Sequence, residues 1–135
     1  MTPAPLTPGE RLLKAGLSKT RQRMALLSLL FDGGDRHITA EQLHAEALTG
    51  GHKLSVATIY NTLRQFKDAG LLREVVVDPT RSYFDTNVST HHHFFSEATG
   101  MLRDIPGDDI IVGNLPAPPE GTTIDSVEVI IRIKP

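Results

Sequence analysis

Apolar residues recur at helical spacing through the first half of the chain and in alternating or continuous runs after it, which predicts helices followed by strands. Thr7-Pro8-Gly9-Glu10 is a T-x-x-E capping box with proline at the first helical position, and it opens a short helix that Gly16 stops. A second helix is expected from near Thr20 through Phe31, with Met24, Leu27 and Leu30 facing inward, until Asp32-Gly33-Gly34-Asp35 ends it. A second capping box, Thr39 to Gln42, starts a third helix that carries Leu43, Ala47 and Leu48 toward a core and ends at Gly50-Gly51. In the fourth helix Ser55 is the expected N-cap, Val56, Ile59, Leu63 and Phe66 form the buried stripe, and Thr58, Tyr60, Asn61, Arg64 and Lys67 occupy the outer face.

After Ala69-Gly70 the period changes. Residues 72–77 and 82–85 read as two strands joined by a turn at Asp78-Pro79-Thr80-Arg81. Three helices and a hairpin in this order define a winged helix. The polar stretch Thr86 to Thr90 lacks a regular period and serves as a hinge. Beyond it, 91–95 and 101–105 flank a turn at Glu97-Ala98-Thr99-Gly100, a last strand covers 126–133, and the proline-rich stretch Leu115 to Gly121 is an extended loop. The expected architecture is α+β: a winged-helix DNA-binding domain over 1–85, a hinge over 86–90, and a small α/β dimerisation and ligand-sensing domain over 91–135 dominated by an antiparallel sheet. So few strands cannot bury a self-sufficient core, and the Val- and Ile-rich last strand would leave an adhesive edge, so a homodimer is expected.

Composition narrows the chemistry. The chain has no cysteine, which removes disulfides, thiolate zinc sites and thiol redox switches, and leaves histidine and carboxylates as metal ligands. Through Asp85 there are 11 Lys and Arg against 9 Asp and Glu, a balance of +2; the remainder has 3 against 7, a balance of −4. A basic front and an acidic back suit a DNA-reading module followed by something else. No apolar run is long enough for a membrane span, and the opening Met1-Thr2-Pro3-Ala4-Pro5 lacks the pattern of a signal peptide, so a cytoplasmic protein without membrane contact is expected. No nucleophile elbow, phosphate loop or paired catalytic carboxylates are present, so no enzymatic activity is expected.

Two groups of residues carry chemistry. Ser55, Thr58, Tyr60, Asn61 and Arg64 on the fourth helix, with Lys19 and Arg23 before and within the second, are residue types that meet base edges and phosphates; a merely solvated face would show a similar set. His91, His92 and His93 lie on an expected strand, where His91 and His93 project one way and His92 the other. Such a pair can chelate Fe(II), Zn(II) or Mn(II), with Asp85 as an additional oxygen ligand, or the three can be an exposed polar or pH-sensitive strand.

In order along the chain stand Ala15-Gly16-Leu17, Thr20 and Arg23, His37-Ile38-Thr39-Ala40-Glu41-Gln42-Leu43, Ser55-Val56-Ala57-Thr58-Ile59-Tyr60-Asn61-Thr62-Leu63, Phe66-Lys67-Asp68-Ala69-Gly70-Leu71, Tyr83-Phe84-Asp85 and the histidine cluster. These segments resemble the ferric uptake regulator family, and the run His91-His92-His93-Phe94-Phe95 is similar to its iron response regulator branch, in which a three-histidine motif is associated with haem. The resemblance implies a dimeric regulator that binds palindromic double-stranded DNA and uses haem, a divalent Fe, Mn or Zn ion, or both.

The family's interdomain metal site would fall on His37, Asp85, His91 and His93, with Asp85 at a position usually held by Glu, and haem would be ligated by His91, His92 and His93. Three departures limit what is inherited. Thr90, His92 and Val127 leave the family's second metal site incomplete. Ser96 and Thr99 stand at the usual Cys-x-x-Cys, so no structural four-cysteine zinc is expected. The N-terminal Cys-Pro haem motif is absent. The implied function is control of iron and haem metabolism genes under iron limitation, with haem inhibiting DNA binding; the alternative is a repressor activated directly by Fe(II), Mn(II) or Zn(II). In either case the bound ligand would bias the hinge and so the spacing of two recognition helices.

Overall fold

The structure is a computed structural model that describes residues 4–135; Met1-Thr2-Pro3, part of the N-terminal stretch tested above for a signal peptide, lie outside it. No helix among the described residues is long and apolar enough to cross a membrane. The chain divides into two compact units, one ending at Val88 and the other spanning Ser89–Pro135.

In the first unit the elements are α1 (Pro8–Lys14), α2 (Arg21–Phe31), β1 (His37–Ile38), α3 (Ala40–Thr49), α4 (Val56–Asp68), β2 (Arg73–Asp78) and β3 (Arg81–Asp85). The caps are those the sequence specifies. Thr7 and Glu10 form a reciprocal capping box, as do Thr39 and Gln42, while Thr20 and Ser55 accept from the N–H groups of Arg23 and Thr58. Gly70, at φ +81°, takes the left-handed turn that closes α4, and the Leu71 N–H reaches back to the Phe66 carbonyl at 2.9 Å.

Leu12, Leu26, Leu27, Leu30, Leu43, Ile59, Leu63, Phe66 and Phe84 meet in one core with Ile38 and Ala47. Each large apolar side chain there contributes at most about 1.5–3 kcal/mol by leaving water. Three positions expected in the stripes are instead exposed: Met24, Leu48 and Val56. Leu26 and Thr62 are buried alongside the expected residues, so the inward arcs of α2 and α4 are rotated from a strict i, i+3 row. Val56 sits in the first turn, ahead of the part of α4 that meets the core.

β1 was not anticipated. It is only His37-Ile38, too short for a periodicity signal, and it adds to β3 to make a three-stranded antiparallel sheet of order β1-β3-β2. Reciprocal bonds extend this pairing beyond the strand: Arg36 N–H donates to Thr86 Oγ1 at 2.9 Å, and Thr86 N–H donates to the Arg36 carbonyl at 3.1 Å.

The second unit holds β4 (His91–Ser96), β5 (Leu102–Pro106), a 3-10 turn at Gly107–Asp109, and β6 (Ile130–Ile133). β4 is central, antiparallel to β5 and parallel to β6. The expected last strand is therefore shorter than 126–133, and its pairing makes the sheet mixed. Gly107 is required by close approach, because a Cβ there would lie 2.6 Å from the Thr90 carbonyl oxygen. Only Phe95 and Ile105 are buried apolar side chains in this unit, whereas Met101, Ile111, Leu115, Ile124 and Ile133 are exposed.

Candidate nucleic-acid face and metal-ligating groups

The outer surface of α4 is divided between two clefts. Toward α2, Thr58, Asn61 and Gln65 face Ser18, Thr20, Gln22 and Arg23 across a polar cleft of about 350 Å³. Toward the hairpin, Tyr60 and Arg64 face Glu74, Val76, Asp78 and Arg81 across a cleft of about 320 Å³. Asn61 and Arg64, one turn apart and both exposed, stand on the crest between them.

Each expected nucleic-acid residue has a defined local role. Ser55 caps α4 and its hydroxyl lies 2.9 Å from Thr58 Oγ1. Tyr60 is half-buried, packing its ring edge-on against Phe84, and the Arg64 guanidinium lies 5.0 Å from its ring centroid. Lys19 is exposed in the turn before α2, its stem running beside Gly9. Arg23, in the first turn of α2, donates from Nη1 to the Ser18 carbonyl and Oγ, both at 2.9 Å, and from Nη2 to Gln65 Oε1 at 3.1 Å. Gln22 Nε2 donates to Thr62 Oγ1 at 3.1 Å, a second strut between the helices. Gln22 and Gln65 were not singled out in the sequence; Gln65 lies at i+7 from Thr58, which places both on one helical face.

The hairpin is less cationic than its sequence implies. Arg81 donates from Nε and Nη2 to Asp78 Oδ2, at 2.8 and 2.5 Å. That guanidinium, followed by the Thr80 hydroxyl and amide, holds the Asp78 carboxyl well below the usual carboxylate range.

Histidine and carboxylate donors occur in both units. In the first, the β1–β3 register sets His37 opposite Asp85, with His37 Nε2 at 3.2 Å from Asp85 Oδ2. The Asn87 N–H donates to Asp85 Oδ1 at 2.9 Å, which orients this buried carboxylate. Nearby, Arg36 clamps Glu46 at 2.9 and 2.6 Å, and this partner pushes the guanidinium pKa up.

In the second unit His91 and His93 share one face, with ring centroids 4.6 Å apart. Nε2 of each lies 3.4 Å from Asp104 Oδ1, and the β4–β5 register sets His93 opposite Asp104. Their donor atoms lie within 4.8 Å of one another. His91 Nδ1 is 2.7 Å from the Ser89 carbonyl, which can only accept; Nδ1 therefore donates, and this bond aims Nε2 at Asp104. Asp104 was missed in the sequence. His92 points to the opposite face, where its Nδ1 accepts the Val129 N–H at 3.1 Å. All three histidines are buried, His91 and His93 on one face of β4 and His92 on the other.

A helical bundle finished by a hairpin wing, with a separate sheet unit and imidazole–carboxylate groups in each, defines a two-unit winged-helix protein with candidate metal donors. The chain belongs to the ferric uptake regulator family, whose profile matches residues 14–131. It is 38% identical over 93 residues to the peroxide-responsive repressor PerR of Staphylococcus aureus, a match covering 69% of this chain; the chain spans 62% of that relative's length. The ferric uptake regulator of Pseudomonas aeruginosa, solved with manganese, aligns with a TM-score of 0.74 at 23% identity over 96% of this chain and 98% of its own. The Francisella tularensis ferric uptake regulator, solved with iron, aligns with a TM-score of 0.71 at 19% identity, covering 88% and 92%. Both likenesses establish the fold.

Proposed function

We propose that this chain is a metal-responsive, DNA-binding transcription regulator that works as a homodimer on palindromic double-stranded DNA in the cytoplasm and catalyses no reaction. The observation that carries the metal part is the pair His91 and His93, both 3.4 Å from one carboxylate oxygen of Asp104. Two imidazoles and a carboxylate are a mixed N/O set suited to Zn(II), Mn(II) or Fe(II). Three donors do not complete the four to six positions such ions take, and neither do His37 and Asp85 alone. The family resemblance assigns metal to His37, Asp85, His91 and His93, and Asp104 adds an oxygen donor beside the last two. When bound, an ion would supply positive charge beside these carboxylates, while the chain's own hydrogen bonds, from Asn87 N–H to Asp85 and from His91 to the Ser89 carbonyl, keep the donors aimed. The Pseudomonas and Francisella relatives, solved with manganese and iron, support that metal class.

DNA contact is assigned to Lys19, Arg23, Ser55, Thr58, Tyr60, Asn61 and Arg64. The two polar clefts beside α4 support it, because a helix flanked by grooves can enter a major groove while its neighbours reach phosphates. A second copy would cover the apolar surface of the second unit, where Met101, Ile111 and Ile133 are exposed.

The haem-responsive reading, in which His91, His92 and His93 ligate haem and haem lowers DNA binding, has the His-His-His-Phe-Phe string in its favour. The engagement of His92 with Val129 favours the ion instead. Titration of Mn(II), and separately haem, into protein with palindromic operator DNA distinguishes them. Metal-dependent retention of the duplex, lost in His91→Ala, is expected. Indifference to metal together with haem-driven release would overturn the metal assignment in favour of the iron response regulator mode.

A further inference from the structure

We infer that Gln65 is a positioning residue for a DNA phosphate contact: it fixes the guanidinium of Arg23 to the recognition helix, so that backbone and groove contacts are made in one register. This rests on the DNA-binding reading above and concerns how that face is built.

Arg23 is on α2, not on the helix that would enter the groove, and a free arginine there could reach any of several phosphates. It is not free. Nη1 is held by both oxygens of Ser18, and Nη2 by Gln65 Oε1 at 3.1 Å. Among the described residues, three of its five N–H directions are thus committed to protein acceptors, leaving two, which is the number a single phosphate takes in a paired contact. Ser18 belongs to the turn before α2. Gln65 alone links the guanidinium to α4, in the same cleft as Asn61 and Thr58.

The neighbouring strut from Gln22 to Thr62 fixes the spacing of the two helices without a charge. Helix spacing therefore survives loss of Gln65, and the direction of the Arg23 charge does not. The exposed cations Lys19 and Arg21 stand near Arg23 in sequence and, among the described residues, neither is tethered to α4. Phosphate contacts from elements flanking the recognition helix set orientation rather than sequence preference, so the expected phenotype is a uniform loss of affinity.

The test is a double-mutant cycle in the full chain, using Arg23→Met, Gln65→Met and the double variant, read by affinity for an operator duplex and a scrambled duplex over a series of salt concentrations. Met keeps the side-chain length of Gln65 without its acceptor. Arg23→Met is expected to reduce the slope of log affinity against log salt by about 0.9, the value for one phosphate. Gln65→Met is expected to lose roughly 3- to 10-fold on both duplexes, to lower the salt slope in the same sense, and to add nothing in the Arg23→Met background. Its thermal midpoint should match the parent.

An unchanged salt slope, additive losses, or a loss confined to the operator would overturn the inference, the last because it would make Gln65 a base-reading residue. If the parent protein binds neither duplex, the DNA-binding reading itself fails, and that result is distinct from binding by the parent with no effect of Gln65→Met.

Discussion

The ring of Tyr60 meets Phe84 edge-on, with centroids 5.9 Å apart and planes at 82°. Phe84 is fully buried and precedes Asp85 in β3, while its partner across the ladder, Ile38, follows His37. A residue of the candidate recognition face thus rests on the residue pair adjoining the carboxylate and imidazole of the first unit. Phe84→Leu, which shortens the ring without emptying the site, is expected to cost roughly 1–2 kcal/mol in denaturant unfolding and to weaken DNA binding beyond that of Tyr60→Phe. Equal DNA affinity at reduced stability would separate the two residues functionally.

Asp104 is the donor that both imidazoles share. Asp104→Ala is expected to weaken Mn(II) binding by at least the roughly 10- to 100-fold that loss of an outer-shell partner costs, measured calorimetrically. Saturating metal should also raise the stability of the parent, by about 2.7 kcal/mol at a hundred times the dissociation constant, and raise that of the variant less at the same concentration.

His92 should behave differently from its neighbours. His92→Ala leaves the Val129 N–H without its acceptor, an expected loss of roughly 1–3 kcal/mol in stability, with Mn(II) affinity nearly unchanged. Matching losses of metal affinity in His91→Ala, His92→Ala and His93→Ala would contradict the division of the three. Haem absorption that disappears only in His92→Ala would revive the haem assignment.

The wing supplies a pH test. The pKa of Asp78 is lowered on folding, so its pairing with Arg81 contributes fully above the ordinary carboxylate value of 3.8 and is lost as pH falls below it. Between pH 5 and 8 the wing should therefore show no titration in the NMR signals of residues 78–81. Asp78→Asn removes the charge that pairs with Arg81 Nε and Nη2, and it should increase the salt slope of DNA binding by up to about 0.9 while making the turn less ordered.

The sequence was most informative where short-range chemistry decides the outcome. Thr7, Thr39 and Ser55 are caps because a side-chain oxygen three residues ahead of an N–H satisfies it whatever the rest of the fold does. The opposite directions of His91 and His92 follow from strand geometry alone. What stayed hidden depends on partners distant in the chain. His37 becomes a strand residue only because β3 runs beside it, and Gln65 matters only because α2 crosses α4. Asp104 is an intermediate case: a hairpin centred on the turn Glu97-Ala98-Thr99-Gly100 places residue 104 opposite residue 93, so the register already contained the missing ligand. Met24, Leu48 and Val56 were misassigned because a helical stripe marks an arc, and only packing decides where that arc ends.

β6 joins the sheet after residues 110–129, which carry no helix or strand, and it is only four residues long. Closing a loop of that length costs at least about 2.7 kcal/mol in chain entropy before any pairing is gained. The strand is therefore the natural first cooperative unit to open, while the β4–β5 hairpin persists. Amide deuterium uptake would register this as early exchange at His93, whose N–H is held by the Val129 carbonyl at 3.2 Å, and at Val129 itself. Each opening would release the His92 ring from its backbone partner, making a histidine that is buried in the folded state the first of the three to meet solvent.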